Sequence, residues 1–359
     1  MSGLLHLAAA VDRPGRFDDG SHLALARLAE RGGLDFVTLD DPAGPLGPDA
    51  LGALSRVAPG TRRIGLVPTV GTGHADALRA QAALAVLDRV SGGRAGWRTG
   101  VSAAEEEARL SGHRDAAPAG ELPREAGGAA GWWQEATGRS PGPDRPHPAG
   151  RTGAAVPLRA PSALPPPPHG RPVRVVDAAD GPARTVAARY ADVALVHATT
   201  PARAAAVRDG LRQEARAAGR HPDALRVLVS LRVDLGGGEH TAGPGRGPAR
   251  FGRSRELGEG GGGPRTAVQG PLYRGGPVDL AELVAAWHAD GVADGFHFVP
   301  VEPHRDLERL VNGTVAVLQH RGRFRTFYPG GTLREHLGLT RPAHRHAPAG
   351  APAVTGDGP

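Results

Sequence analysis

The chain has 359 residues, 40% of them hydrophobic, enough for one large barrel or two ordinary domains. Its 43 basic residues are all arginine, interleaved with 37 acidic ones to a net charge of +6, without the basic face or tail of a nucleic-acid binder. Cysteine is absent, which excludes disulfides, thiolate metal sites and a cysteine nucleophile, and no run approaches the roughly 18 apolar residues of a membrane span, so a cytoplasmic location is expected.

Taken in chain order, residues 4–10 read as a first strand. Ser21 is a good cap for a helix through Arg31, with Leu23, Ala26, Leu28 and Ala29 at helical spacing, and Gly32 and Gly33 end it. Residues 34–39 and 64–70 read as the second and third strands, and 76–90 as a helix. Gly92 and Gly93 then break the chain, in a turn that glycine's tolerance of positive φ permits, before a fourth strand at 95–101. Residues 112–170 are rich in proline and glycine and read as loop, with four consecutive prolines at 165–168.

Order returns with a strand at 171–176, a helix at 182–190, a strand at 193–197, a helix at 201–218 and a strand at 225–233. Residues 236–264 are of low complexity and expected to be mobile. A helix at 278–290, an eighth strand at 295–301 and a helix at 305–321 follow, and 343–359 read as a disordered tail. Strands separated by helices of this length imply βαβ units and a parallel sheet. No Gly-x-Gly-x-x-Gly turn follows the first strand, so a closed (β/α)8 TIM barrel fits better than an open sheet. One domain over residues 1–342 is expected, with insertions after the fourth strand and in the C-terminal half.

Several stretches then carry a resemblance: ALARLAERGGLDFVTLDD at 24–41, RIGLVPTVGT at 63–72, LDRVSGGRAGW at 87–97, HGRPVRVVDAADGPARTVAARYADVAL at 169–195, DGFHFVP at 294–300 and LQHRGRFRTFYPGGTLREHLGL at 318–339. In this order they resemble the luciferase-like flavin monooxygenases, in particular the branch around nitrilotriacetate monooxygenase. The resemblance implies a barrel with the flavin at the C-terminal ends of its strands. It implies reduced FMN as a diffusible cosubstrate supplied by a separate flavin reductase, a flavin C4a-hydroperoxide formed with O2, oxygenation of a small organic substrate, and a homodimer. The flavin carries the chemistry, so the chain needs no nucleophile of its own. Two other readings stand beside this one: a non-catalytic or cofactor-impaired homologue or partner subunit, and an F420-dependent oxidoreductase.

The resemblance also assigns candidate cofactor-binding positions. Asp41 ends the second strand, where the family places a flavin-contacting aspartate, and Thr69 and Thr72 end the third, where it has hydroxyls. Arg98 stands where the family has a neutral amide; an arginine there either binds the flavin phosphate or blocks the pocket. The family's histidine and tyrosine, four apart, align with Glu121 and Glu125. Its phosphate loop of one glycine and two serines aligns with Ala178, Ala179 and Asp180, so Asp180 sets a negative charge against a phosphate. Ser91 to Arg94 read as architectural, with Arg94 clasping a scaffold carboxylate. None of the 16 histidines shows the two-histidine helical spacing of zinc hydrolases, and no metal is expected.

Overall fold

In the computed structural model, the described residues are 4–12, 19–40, 50–71, 77–100, 171–179, 181–236, 258–259 and 271–340. Eight parallel strands close into a barrel: β1 (His6–Ala10), β2 (Phe36–Leu39), β3 (Gly65–Gly71), β4 (Gly96–Gly100), β5 (Val173–Asp177), β6 (Val193–Val196), β7 (Arg226–Asp234) and β10 (Gly295–Pro300). Each pairs in parallel with its neighbour, and β10 joins β7 on one side and β1 on the other, closing the ring. All eight were predicted, within one or two residues at each end. The physical reason is that both faces of a parallel barrel strand are covered, so each reads as a short continuous apolar run. β1 and β2 are buried at every position.

The helices between the strands are α1 (Asp19–Arg31), α2 (Ala50–Val57), α3 (Ala77–Ser91), α4 (Gly181–Tyr190), α5 (Pro201–Ala217) and α6 (Pro277–Ala289). α2 lies in a stretch left unassigned above; it buries Leu51, Leu54 and Val57 against the barrel wall. The helix predicted at 305–321 is composite. It begins as α7 (Pro303–Arg309), widens to a π-helix over Leu310–Val315 and finishes as α8 (Ala316–His320).

Two further corrections concern the rim and the turn before β4. Within the segment expected to be unstructured low complexity, β8 (Gly258–Glu259) pairs antiparallel with β9 (Pro271–Arg274), which lies parallel on the last residues of β7. β7 therefore runs past the barrel wall and carries this small rim. Gly92 and Gly93 do adopt positive φ, 68° and 85°. Arg94, however, clasps no carboxylate among the described residues. Its guanidinium donates to the carbonyls of Ala58 (3.0 Å), Thr61 (3.2 Å), Ile64 (2.7 Å) and Ser91 (2.6 Å), tying the start of β4 to the turn before β3.

The barrel interior holds Ala8, Phe36, Val67, Val175, Leu195 and Leu228, and it is closed from below by the segment after α8. There Leu333 of α9 (Leu333–His336), with Leu337 and Leu339, joins the interior cluster. Glycine at Gly65 makes room for this plug: a Cβ there would stand 2.6 Å from the Leu333 side chain. Beside it, Asp35 is fully buried and satisfied by His6 Nδ1 (3.2 Å), the Leu7 amide (2.8 Å) and Arg325 Nη1 (2.9 Å). The N-terminal face of the barrel is thus floor, leaving the other end for chemistry.

Candidate functional site

Strand alternation decides which side chains meet at the open end. The inward parity of Ala8, Phe36, Val67, Val175, Leu195 and Leu228 continues upward to Asp12, Thr38 and Asp40, Thr69, Arg98, Asp177, His197 and Ser230, with His297 inward on β10. Polar residues thus replace apolar ones in the last layer of nearly every strand.

At the β1–β4 side, Asp40 is the hub. Its carboxylate accepts from the Thr69 hydroxyl (2.7 Å) and from Arg98 Nη2, while its amide donates to Asp12 Oδ1 (2.6 Å). Burial would raise the Asp40 carboxyl above the usual range, but Arg98 and the Thr69 hydrogen bond hold it below. At Asp12, burial and then the charge of Asp40 push the carboxyl up to about 7, outweighing the Asp40 amide and the Arg98 charge, which act downward. Burial also works against the Arg98 cation, yet Asp40, Asp12 and Asp177 keep it protonated.

Across the mouth, His297 is held at both ring nitrogens, by Thr38 Oγ1 (2.9 Å) and Ser230 Oγ (3.1 Å). Burial, and then the Arg98 charge, push its imidazole down to about 3, so it stays neutral through the physiological range. With both ring nitrogens engaged and its charged form disfavoured, His297 is a weak base toward the Ser230 hydroxyl. Beside it, Asp177 Oδ1 accepts from His197 Nε2 (2.8 Å). Burial raises the Asp177 carboxyl, but the His197 hydrogen bond and the Arg98 charge hold it low and ionised.

Of the positions assigned from sequence, Thr69 and Arg98 come together at the mouth through Asp40. Asp41, Thr72, Asp180, Glu121 and Glu125 lie outside the described residues. Ala179 stands at the start of α4, where its carbonyl and that of Ala178 accept from the Arg184 guanidinium, each at 3.3 Å. Sequence reasoning missed Asp12, Asp40, Asp177, His197, Ser230 and His297. The signal was present: most are polar residues at or just beyond the end of an apolar strand, in register with its inward positions. Among the described residues, no group of three or more His, Cys, Asp and Glu is arranged to hold a metal ion, and no helix is long and apolar enough to cross a membrane.

A closed parallel barrel with a charged ring at its strand C-termini has the layout of (β/α)8 enzymes. The chain belongs to the luciferase-like monooxygenase family, whose sequence profile matches residues 5–241. It is 26% identical to N-acetyl-S-(2-succino)cysteine monooxygenase of Bacillus subtilis (strain 168), over 90% of each chain. It is 27% identical to nitrilotriacetate monooxygenase component A of Aminobacter aminovorans, over 92% of each. Its fold is similar to that of EDTA monooxygenase from Chelativorans sp. BNC1, with a TM-score of 0.75 and 22% identity over 94% of this chain and 99% of that one. Membership makes the chain an enzyme of the flavin-dependent monooxygenase class and bears out the fold expected from the residues.

The donor set fits a flavin ring. The polar edge of an isoalloxazine alternates carbonyl and nitrogen acceptors with one N–H donor. The mouth offers a fixed guanidinium for the former and carboxylates for the latter, while the Thr69 hydroxyl, whose proton goes to Asp40, holds that carboxylate in place. Ala179, which the resemblance assigned to the phosphate, supplies no hydroxyl, and among the described residues the Arg184 guanidinium lies against its carbonyl.

Proposed function

We propose that this protein is an FMNH2-dependent monooxygenase that oxygenates a small organic substrate with O2, its reduced flavin supplied by a separate reductase. One observation carries the reading: the strand-end ring built on Arg98, Asp40 and Thr69 sits where a barrel enzyme binds its ligand, in a chain whose relatives are monooxygenases. Bound reduced FMN supplies the electrons that activate O2. The chain's own residues then bind, orient and exclude water. Arg98, pinned by Asp40, presents a cation to the ring's acceptor edge. Thr69 holds the Asp40 carboxylate in place, with Asp41 and Thr72 next in sequence beyond the two strands. Neutral His297 adds a polar wall without adding charge. Ala179, with Asp180 next in sequence, is assigned to the phosphate end, and Arg184 brings a positive charge to the Ala179 carbonyl.

In the same reading the protein is a cytoplasmic homodimer with one barrel domain over residues 1–342. A cofactor-impaired homologue is the second reading, favoured by the charged pair at Arg98 and by the methyl group of Ala179 at the phosphate end. An F420-dependent oxidoreductase is the third reading: an F420-dependent secondary alcohol dehydrogenase shares the fold, with a TM-score of 0.64. Titration of the purified protein with FMN and with reduced FMN, followed by flavin fluorescence, separates the first reading from the other two. Tight binding of the reduced form supports the monooxygenase; no binding of either form at high micromolar concentration overturns it and leaves the other two.

A further inference from the structure

Among the described residues two histidines face the barrel mouth, and the structure treats them in opposite ways. His297 has both nitrogens engaged by hydroxyls, so its lone pair is already in use. His197 has one nitrogen engaged, and its partner is the ionised carboxylate of Asp177 at 2.8 Å. A carboxylate only accepts, so Nε2 carries the proton, and in the neutral ring Nδ1 is left as a bare acceptor. That Nδ1 is buried and has no hydrogen-bond partner among the described residues. His336 also has an unpartnered Nδ1, but its Nε2 lies against the Gly330 carbonyl at the barrel floor, with no carboxylate behind it. Among the described residues, His197 joins a bare nitrogen, an orienting carboxylate and a place at the mouth. A strut tying β5 to β6 would need the Nε2 bond alone; it would give no reason to bury the other nitrogen unsatisfied.

We propose that His197, oriented by Asp177, is the proton-accepting base of this site. Its Nδ1 takes the proton of an N–H or O–H group on a ligand bound in the mouth. The donor atom keeps the electron pair and becomes the anion. The imidazolium is balanced by the Asp177 carboxylate, and the proton passes to water when the ligand departs. This rests on the barrel mouth being the reaction site, as in the monooxygenase reading, but not on the identity of the substrate.

Two measurements on the full chain test it. Long-range nitrogen–proton NMR of the free protein is expected to show His197 protonated at Nε2 and bare at Nδ1, with Asp177→Asn disturbing that tautomer. A proton found on Nδ1 of the neutral ring overturns the proposal, whether or not flavin binds. The second is single-turnover reoxidation of bound reduced FMN by O2 across a pH series. His197→Ala is expected to slow it on the order of 100-fold. It should also flatten the pH profile and leave the dissociation constant for FMN within about threefold. Millimolar imidazole is expected to restore both rate and profile. Loss of FMN affinity in step with rate, unrescued by imidazole, assigns His197 to binding or structure and overturns the proposal. If the parent binds no reduced FMN, the monooxygenase reading falls, and the tautomer decides this one.

Discussion

Asp40 and Arg98 reach each other from two strands that are not neighbours, over the top of β3, and Thr69 of β3 fills the gap by donating to the same carboxylate. The Asp40 side chain keeps about 47% of its exposure, so water screens part of the attraction. Arg98→Asn is expected to cost about 1 kcal/mol by taking the cation from Asp40 and leaving it the Thr69 hydrogen bond. The double variant with Asp40→Ala should lose less than the sum of the singles by a similar amount, measured by chemical denaturation. Additive losses would show that the pair carries no coupling. Asp88 is a second case. It is 2% exposed, its Oδ2 has no partner among the described residues, and burial pushes it up to about 6 despite one backbone hydrogen bond from Ala95. A carboxyl raised in the folded state binds its proton more tightly there than in the unfolded chain. Its stabilising contribution is therefore present below about pH 4 and is lost as pH rises through 6. Asp88→Asn should remove that slope and stabilise the protein at pH 7 by about 2–3 kcal/mol, read from denaturation midpoints at pH 4 and pH 7. An unchanged slope would exclude Asp88 as its source.

Closure of the barrel depends on one strand pair without slack. β1 and β10 approach so closely at Gly295 that a Cβ there would lie 1.9 Å from the His6 carbonyl oxygen, on a backbone held by its own ladder. Gly295→Ala is expected to destabilise by about 3 kcal/mol or more, seen as a lowered melting temperature or loss of soluble protein. Parent-like melting would mean that the two strands can separate locally. The same scale shows what was legible in the residues. The eight barrel strands were readable because burial on both faces leaves an unbroken apolar run. The rim strands β8 and β9 were not, since short glycine- and proline-flanked pieces owe their pairing to the overhang of β7. α9 was missed although its signal was there: Thr332 and Glu335 form a reciprocal capping box, the S/T-x-x-E pattern of a helix start. The composite α7–α8 segment reads as one periodic helix, and its π-helical middle leaves no mark on the spacing.

Across the whole molecule the two barrel ends divide the work. The floor belongs to the segment after α8: Arg325 neutralises Asp35, the Tyr328 hydroxyl donates to the Leu34 carbonyl at 2.8 Å, and Leu333, Leu337 and Leu339 fill the interior from below. Truncation after His320 is expected to leave a buried aspartate short of its cation and an apolar barrel open to water. The shortened chain should aggregate or unfold without a cooperative transition, checked by circular dichroism and thermal melting. A cooperative melt near that of the parent would show that the barrel closes without its plug.

By itself the sequence determined the barrel, since the order of apolar runs, helices and glycine breaks admits few closed topologies, and its motifs determined the family. It also placed Thr69 at the end of the third strand and Arg98 on the fourth. Which polar residues share the mouth was decided only by the tertiary structure, because inward parity acquires meaning when register and closure bring strands β1, β2, β5, β6 and β10 around one axis. Asp40 became the partner of Arg98, and Asp177 that of His197, through contacts 58 and 20 residues apart in the chain. The protonation of each group was decided there as well: burial and the nearest charge hold His297 neutral and Asp177 ionised, and neither is a property of the residue alone.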